Sequence, residues 1–268
     1  MSINPSSIPS QSASYSNEEW AARVELAAAF RLVATLGWTD LLSSHISLMV
    51  PGTTDQFLIN RYGLLFDEIT ASNLVKVGFD GTADGQAIDA IPGQRIVGSG
   101  AWAIHSAVHI SRPDLKCAIH LHTREGVAVA SQKRGLLPLT QMALSILPYV
   151  RYHDFLGFSD EDERDSIASD IGDGSVLILR NHGTLTVGES VGEAFGFAWR
   201  IQRACVMQLA AQIGTVSTEL NELPTEVIER ASTQASRIVS KNGWARIGGN
   251  DWEALRRSLD RQTKDYQR

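Results

Sequence analysis

Apolar and polar positions along this chain recur with two different periods, and the switches between them mark out the elements. From Ser16 the apolar positions Trp20, Val24, Ala27 and Ala28 fall on one side of a helix that runs to about Leu36. Ser16 and Glu19 have the spacing of a capping box, and Gly37 is its stop signal. From Ser43 the pattern shortens to β-type runs at His45–Val50, Gln56–Asn60 and Leu74–Phe79, with Pro51-Gly52 and Asp80-Gly81 as turns. A helix from Gly100 to Ile110, ended by Arg112-Pro113-Asp114, precedes a strand from Lys116 to His122 and a helix from Glu125 to Lys133. Tyr152, His153 and Asp154 read as a polar loop, and the acidic run Asp160 to Asp165 as the start of a surface helix. Ser175 to Arg180 is continuously apolar, the signature of a strand buried on both faces, and Thr184 to Val187 continues as another. A long helix follows from Glu189 to Gln212, then helices near Thr225–Lys241 and Asp251–Asp260. In the last of these Trp252, Leu255 and Leu259 share a face, a segment able to dock on its own or a neighbouring subunit.

No internal repeat interrupts this order. It predicts one α/β domain over residues 16–213, helices covering a mixed sheet, with a disordered tail at 1–15 and a helical extension at 214–268. Composition adds little: 43% hydrophobic and 20% charged residues are ordinary for a globular protein. A net charge of −6 with no Lys/Arg-dense stripe argues against a nucleic-acid partner. Cys117 and Cys205 give no disulfide framework and read as buried structural residues in a reducing compartment. No basic leader with an apolar core and no membrane-length apolar run is present, so the expected location is cytoplasmic, away from membranes.

The candidate chemistry lies in histidines. His120 and His122 are two apart in a strand, so their imidazoles point to one face. His182 follows the next apolar strand, beside Gly183. Three neutral imidazoles with a coordination position left open make a catalytic rather than a structural divalent-metal site. Spacing alone leaves this equally balanced with histidines bonded to loop carbonyls.

The segments "INRYGLLFDEITASNLVKVGFDG", "HSAVHISRPDLKCAIHLHT", "GLLPLTQMAL" and "VLILRNHGTLTVGESVGEAF" resemble the class II aldolase/adducin family, in its adducin-like bacterial branch. The resemblance covers about Glu18 to Ala210 and implies a three-layer α/β/α fold with a largely antiparallel mixed sheet. It implies that His120, His122 and His182 hold a divalent metal, zinc first and Fe(II) second. The implied activity is that of a lyase, breaking a carbon–carbon bond or decarboxylating a small hydroxy-carbonyl substrate through a metal-stabilised enolate. A homotetramer or other homo-oligomer is implied as well. Two departures stand out. The family's catalytic Glu falls on Ala101, in Ser99-Gly100-Ala101. Its phosphate-cradling Gly-Asn and Thr-Gly fall on Ser44-His45 and Tyr62-Gly63. Tyr152 and His105 are the candidates to replace the lost acid/base, and His45, Arg61, Gly63 and Ser99 are candidate substrate contacts. The rival readings are a non-catalytic adducin-like interaction protein and a non-haem Fe(II) oxygenase using the same three histidines.

Overall fold

The computed structural model describes residues 15–83, 85–88, 95–157, 161–214 and 220–268. The expected tail at 1–14 and residues 215–219 of the expected linker lie outside these. Helix α1 spans Asn17–Thr35, and the Ser16 hydroxyl accepts from the Glu19 N–H at 3.1 Å. Its inward face differs from the predicted one. Trp20 and Val24 are half-buried, whereas Glu19 and Arg23 are buried. The reason is that Arg23 donates to the Ala71 and Leu74 carbonyls at 3.3 and 2.9 Å, groups that would otherwise be buried without a donor. Glu19 balances that charge at 2.9 Å and takes Lys76 at 2.7 Å.

The sheet is built from β1 (His45–Met49), β2 (Gln56–Ile59), β3 (Val75–Gly78), β4 (Thr82–Ala83), β5 (Gln86–Ala87), β6 (Cys117–Leu121), β7 (Val150–His153), β8 (Val176–Leu179) and β9 (Gly183–Gly188). Their order across the sheet is β5-β4-β3-β2-β1-β6-β9-β8-β7. Every pairing among them is antiparallel except β7 with β8. Strand β7 corrects the reading of Tyr152–His153 as loop. Val-Arg-Tyr-His shows no clear alternation, and its strand state comes from pairing Val150 to His153 with Val176 to Leu179.

The remaining helices are α2 (Ser99–Ser111), α3 (Arg124–Ala130), α4 (Gln141–Ile146), α5 (Glu161–Ile171), α6 (Val191–Gln212), α7 (Thr225–Val239) and α8 (Asn250–Gln262). Helices α1, α6 and α8 cover one face of the sheet, packing on Ile46, Leu48, Cys117, Ile119 and Leu121. Helices α2 and α5 cover the other, on Ala118, Leu177, Leu179, Leu185 and Val187. The result is the expected three-layer α/β/α arrangement. Strand alternation puts His120 on the α2/α5 side with Ala118.

The face of α8 that carries Trp252 docks on its own chain. Trp252 packs on Phe195 with ring centroids 5.4 Å apart, and a Cβ at Gly192 would fall 2.7 Å from its Cγ. Trp244, in contrast, is 84% exposed. Among the described residues no helix is long and apolar enough to cross a membrane.

Candidate metal centre and its cleft

The register of the central strands assembles the site. His120 on β6 lies opposite His45 on β1 and opposite Leu185 on β9. His122 emerges just past the end of β6. His182 sits in the turn between β8 and β9, after Asn181 with φ of +60°. Gly183 lets this turn close on β6, because a Cβ there would stand 2.6 Å from the Leu121 carbonyl oxygen. The ring centroids of His120, His122 and His182 are 4.6 to 4.8 Å apart. One ligand nitrogen from each lies within 4.8 Å of the others.

Hydrogen bonds behind the rings set which nitrogen faces inward. His120 Nδ1 is 3.1 Å from the Thr184 carbonyl oxygen, and His122 Nδ1 is 3.2 Å from Asp40 Oδ2. A carbonyl or carboxylate oxygen only accepts, so each Nδ1 carries the proton and each Nε2 is left with its lone pair. Those two Nε2 atoms face each other at 2.8 Å. Two lone pairs so placed repel unless a cation lies between them, and this donor set fits a divalent metal. Burial, with the neighbouring imidazoles, holds His120 well below the usual histidine range. Burial first, then the charges of His122 and His153, brings His182 down to about 4. Both are therefore neutral at pH 7, the form able to ligate a metal.

The three rings open into a cleft of about 470 Å³, also lined by His45, Asn60, Ala101, Ile104, Phe155 and Glu163. His45 reaches it. His105 stands behind, completely buried, with Nε2 2.7 Å from His45 Nδ1 and Nδ1 2.5 Å from the Ser47 hydroxyl. Ser47 also meets His109 Nε2 at 2.8 Å. Tyr152 turns away from the cleft of its own chain: its hydroxyl accepts from the Leu136 N–H at 3.0 Å, and Arg180 stacks on its ring. Ser99 is exposed and accepts from Arg95 at 3.4 Å, while its neighbours Gly98 and Gly100 line the cleft. Gly63 lies in an exposed turn at φ +96°, and half-buried Arg61 does not line the cleft. Asp40, Asn60 and Glu163 were not singled out by the sequence. For Glu163 a signal existed: it is four and eight residues before Ile167 and Ile171, on the apolar stripe of α5.

The model of the class II aldolase and adducin N-terminal domain matches residues 24–209. The chain belongs to the class II aldolase and adducin family. An aldolase II superfamily protein from Pseudomonas syringae, known by its crystal structure, is 44% identical and covers 95% of this chain and 98% of its own, with a TM-score of 0.86. Alpha-adducin of Rattus norvegicus is 39% identical over 94% of this chain, which spans 34% of that longer protein. L-fuculose 1-phosphate aldolase from Glaciozyma antarctica shares the fold at 23% identity, with a TM-score of 0.77 over 97% of each chain. The cleft of this member brings together three convergent imidazoles and Ala101 in the first turn of α2.

Proposed function

We propose that the chain is a metal-dependent class II aldolase-like lyase. It breaks or forms the carbon–carbon bond beside the carbonyl of a small hydroxy-carbonyl compound, decarboxylation being the related reaction. The observation that carries this reading is the pair of inward Nε2 lone pairs at 2.8 Å, locked by Thr184 and Asp40, with His182 beside them. His120, His122 and His182 would hold the ion, zinc before Fe(II). When bound, a divalent ion on three neutral imidazoles keeps its full charge and polarises a carbonyl oxygen as a Lewis acid. Ile104, Ala101 and Phe155 give the substrate an apolar wall. His45, fixed through its Nδ1 by His105, presents its other ring nitrogen beside the three ligands. No Lys or Arg is among the described residues that line the cleft, which supports an uncharged substrate over a phosphorylated one. A homo-oligomer is part of this reading.

Calorimetric titration of chelator-treated protein with zinc tests it. One equivalent binds the wild type, His120→Ala abolishes the site, and Asp40→Asn weakens it roughly tenfold through the orientation of His122. Wild-type protein that binds no zinc overturns the reading. A second reading, a non-catalytic interaction module, has the 39% identity to alpha-adducin and the alanine at position 101 in its favour. Zinc binding without turnover of any hydroxy-carbonyl compound would select it, and oxygen uptake after Fe(II) loading would select an oxygenase.

A further inference from the structure

Ala101 leaves the first turn of α2 without a carboxylate, yet the cleft still contains one. Glu163, in the first turn of α5, lines the cleft together with Ala101, His45 and the three convergent imidazoles. It is only 6% exposed, and it is the one carboxylate among the described residues lining that cleft. A carboxylate that far from water is costly unless its surroundings compensate. The nearest compensating group is His153 on β7, 2% exposed, whose Nε2 is 3.5 Å from Glu163 Oε1 and has no hydrogen-bond partner. The other nitrogen of His153, Nδ1, donates to Asp170 Oδ2 at 2.8 Å. Because Asp170 fixes the proton on Nδ1, the lone pair of Nε2 faces Glu163, and one proton held between the two is what compensates the buried carboxylate. Asp170 is 39% exposed. The three residues thus form a line from solvent, through a buried imidazole, to the cleft wall.

Resting on the lyase reading above, we propose that Glu163 is the catalytic acid/base, supplied from α5 in place of the carboxylate missing at Ala101. His153 and Asp170 are its positioning residues. In the condensation direction the carboxylate takes a proton from the carbon next to the substrate carbonyl. An O–H bond forms, the C–H bond breaks, and its electron pair stays with carbon to make the new carbon–carbon bond, while the π pair of the acceptor carbonyl moves to its oxygen, which takes a proton from water. In cleavage the neighbouring carbinol gives its O–H proton to water and its oxygen forms the C=O of the departing fragment. The carbon–carbon bond breaks with its electron pair left on the other carbon, and the Glu163 carboxyl returns the proton there. The proton that Glu163 takes is shared with the Nε2 lone pair of His153 and returned from there, while Nδ1 stays bonded to Asp170. An anchor for α5 alone would need only the His153–Asp170 pair. Glu163 adds a carboxylate where a substrate would touch it.

Dihydroxyacetone in D2O is the probe, with the zinc-loaded protein and proton NMR to follow deuterium replacing the methylene protons. The wild type exchanges them faster than zinc alone. Glu163→Gln lowers kcat about 100-fold with KM and zinc affinity unchanged, the scale of a lost acid/base. Glu163→Asp retains an intermediate rate, and formate restores exchange to Glu163→Ala. Asp170→Asn, at the surface end, lowers kcat about tenfold at unchanged KM. In the zinc-free protein, the 15N resonance of His153 Nε2 moves in Glu163→Gln, a readout independent of turnover. If Glu163→Gln does not fold, an Asp170→Asn or Glu163→Asp variant with wild-type kcat overturns the proposal just as wild-type kcat in Glu163→Gln does. A wild type that binds zinc and exchanges nothing overturns the lyase reading itself, and the assignment of Glu163 falls with it.

Discussion

At the scale of single residues, Gly183 governs how closely β9 approaches β6. A Cβ there meets the Leu121 carbonyl oxygen at 2.6 Å and His122 Cδ2 at 3.0 Å, both on the strand that carries two of the three imidazoles. Gly183→Ala is expected to cost about 1–3 kcal/mol, as overpacking does. The loss is read as a lower urea midpoint, and zinc affinity falls with it because His122 and His182 are forced apart. The three imidazoles were legible because a strand repeats every two residues and Asn-His-Gly closes the next one. The partnership of His45 with His120 was not legible. It depends on which residue of β1 faces which residue of β6, and register is a property of the pairing, absent from the spacing of either strand. His105 was visible as a candidate, but only the structure shows that it lies behind His45, bonded to it, rather than lining the cleft. Glu163 sits in an acidic run that reads as solvated surface, and only its spacing to Ile167 and Ile171 marks it as inward.

At the scale of elements, α1 is tied to the loop before β3 by a charge cluster. Arg23 is 2% exposed and holds Glu19 and two backbone carbonyls. Removing one partner of such a pair leaves the other charge buried, so Glu19→Ala should cost about 3–5 kcal/mol. Chemical denaturation followed by tryptophan fluorescence measures it, and a loss below 1 kcal/mol would show that Lys76 and water had taken over. The helix itself was legible from its period and its Ser16 cap. The depth of Glu19 and Arg23 was not, since polar side chains on a helix turn inward only when distant carbonyls need donors. The same holds for β7, whose four residues become a strand by pairing in parallel with β8. Longer segments with a clean period, such as α6 and β8, carry their state locally and were read close to their observed limits.

At the scale of the molecule, burial collects imidazoles between the sheet and α2. Burial, its largest cause, holds His45, His105 and His120 well below the usual range, and takes His109 and His182 down to about 4. The unfolded chain therefore binds more protons than the native one between about pH 6.5 and 4, and stability rises with pH across that window. The zinc-free protein should be at full stability above pH 6.5 and lose it on acidification toward 4. Urea midpoints at pH 7, 6 and 5 check this. Replacing His109 with Gln, which keeps a hydrogen-bonding group for Ser47, should flatten the slope by up to about 1.4 kcal/mol per pH unit, one proton's share. Helix α5 bridges β7 and β8, the two parallel strands at the edge of the sheet, whereas the three imidazoles belong to β6 and the β8–β9 turn. A bridging segment can change its length or pitch without shifting the register of the strands that hold the ligands. Under the proposed roles, a substitution on α5 can therefore change the acid/base while the three imidazoles keep their places on β6 and the β8–β9 turn.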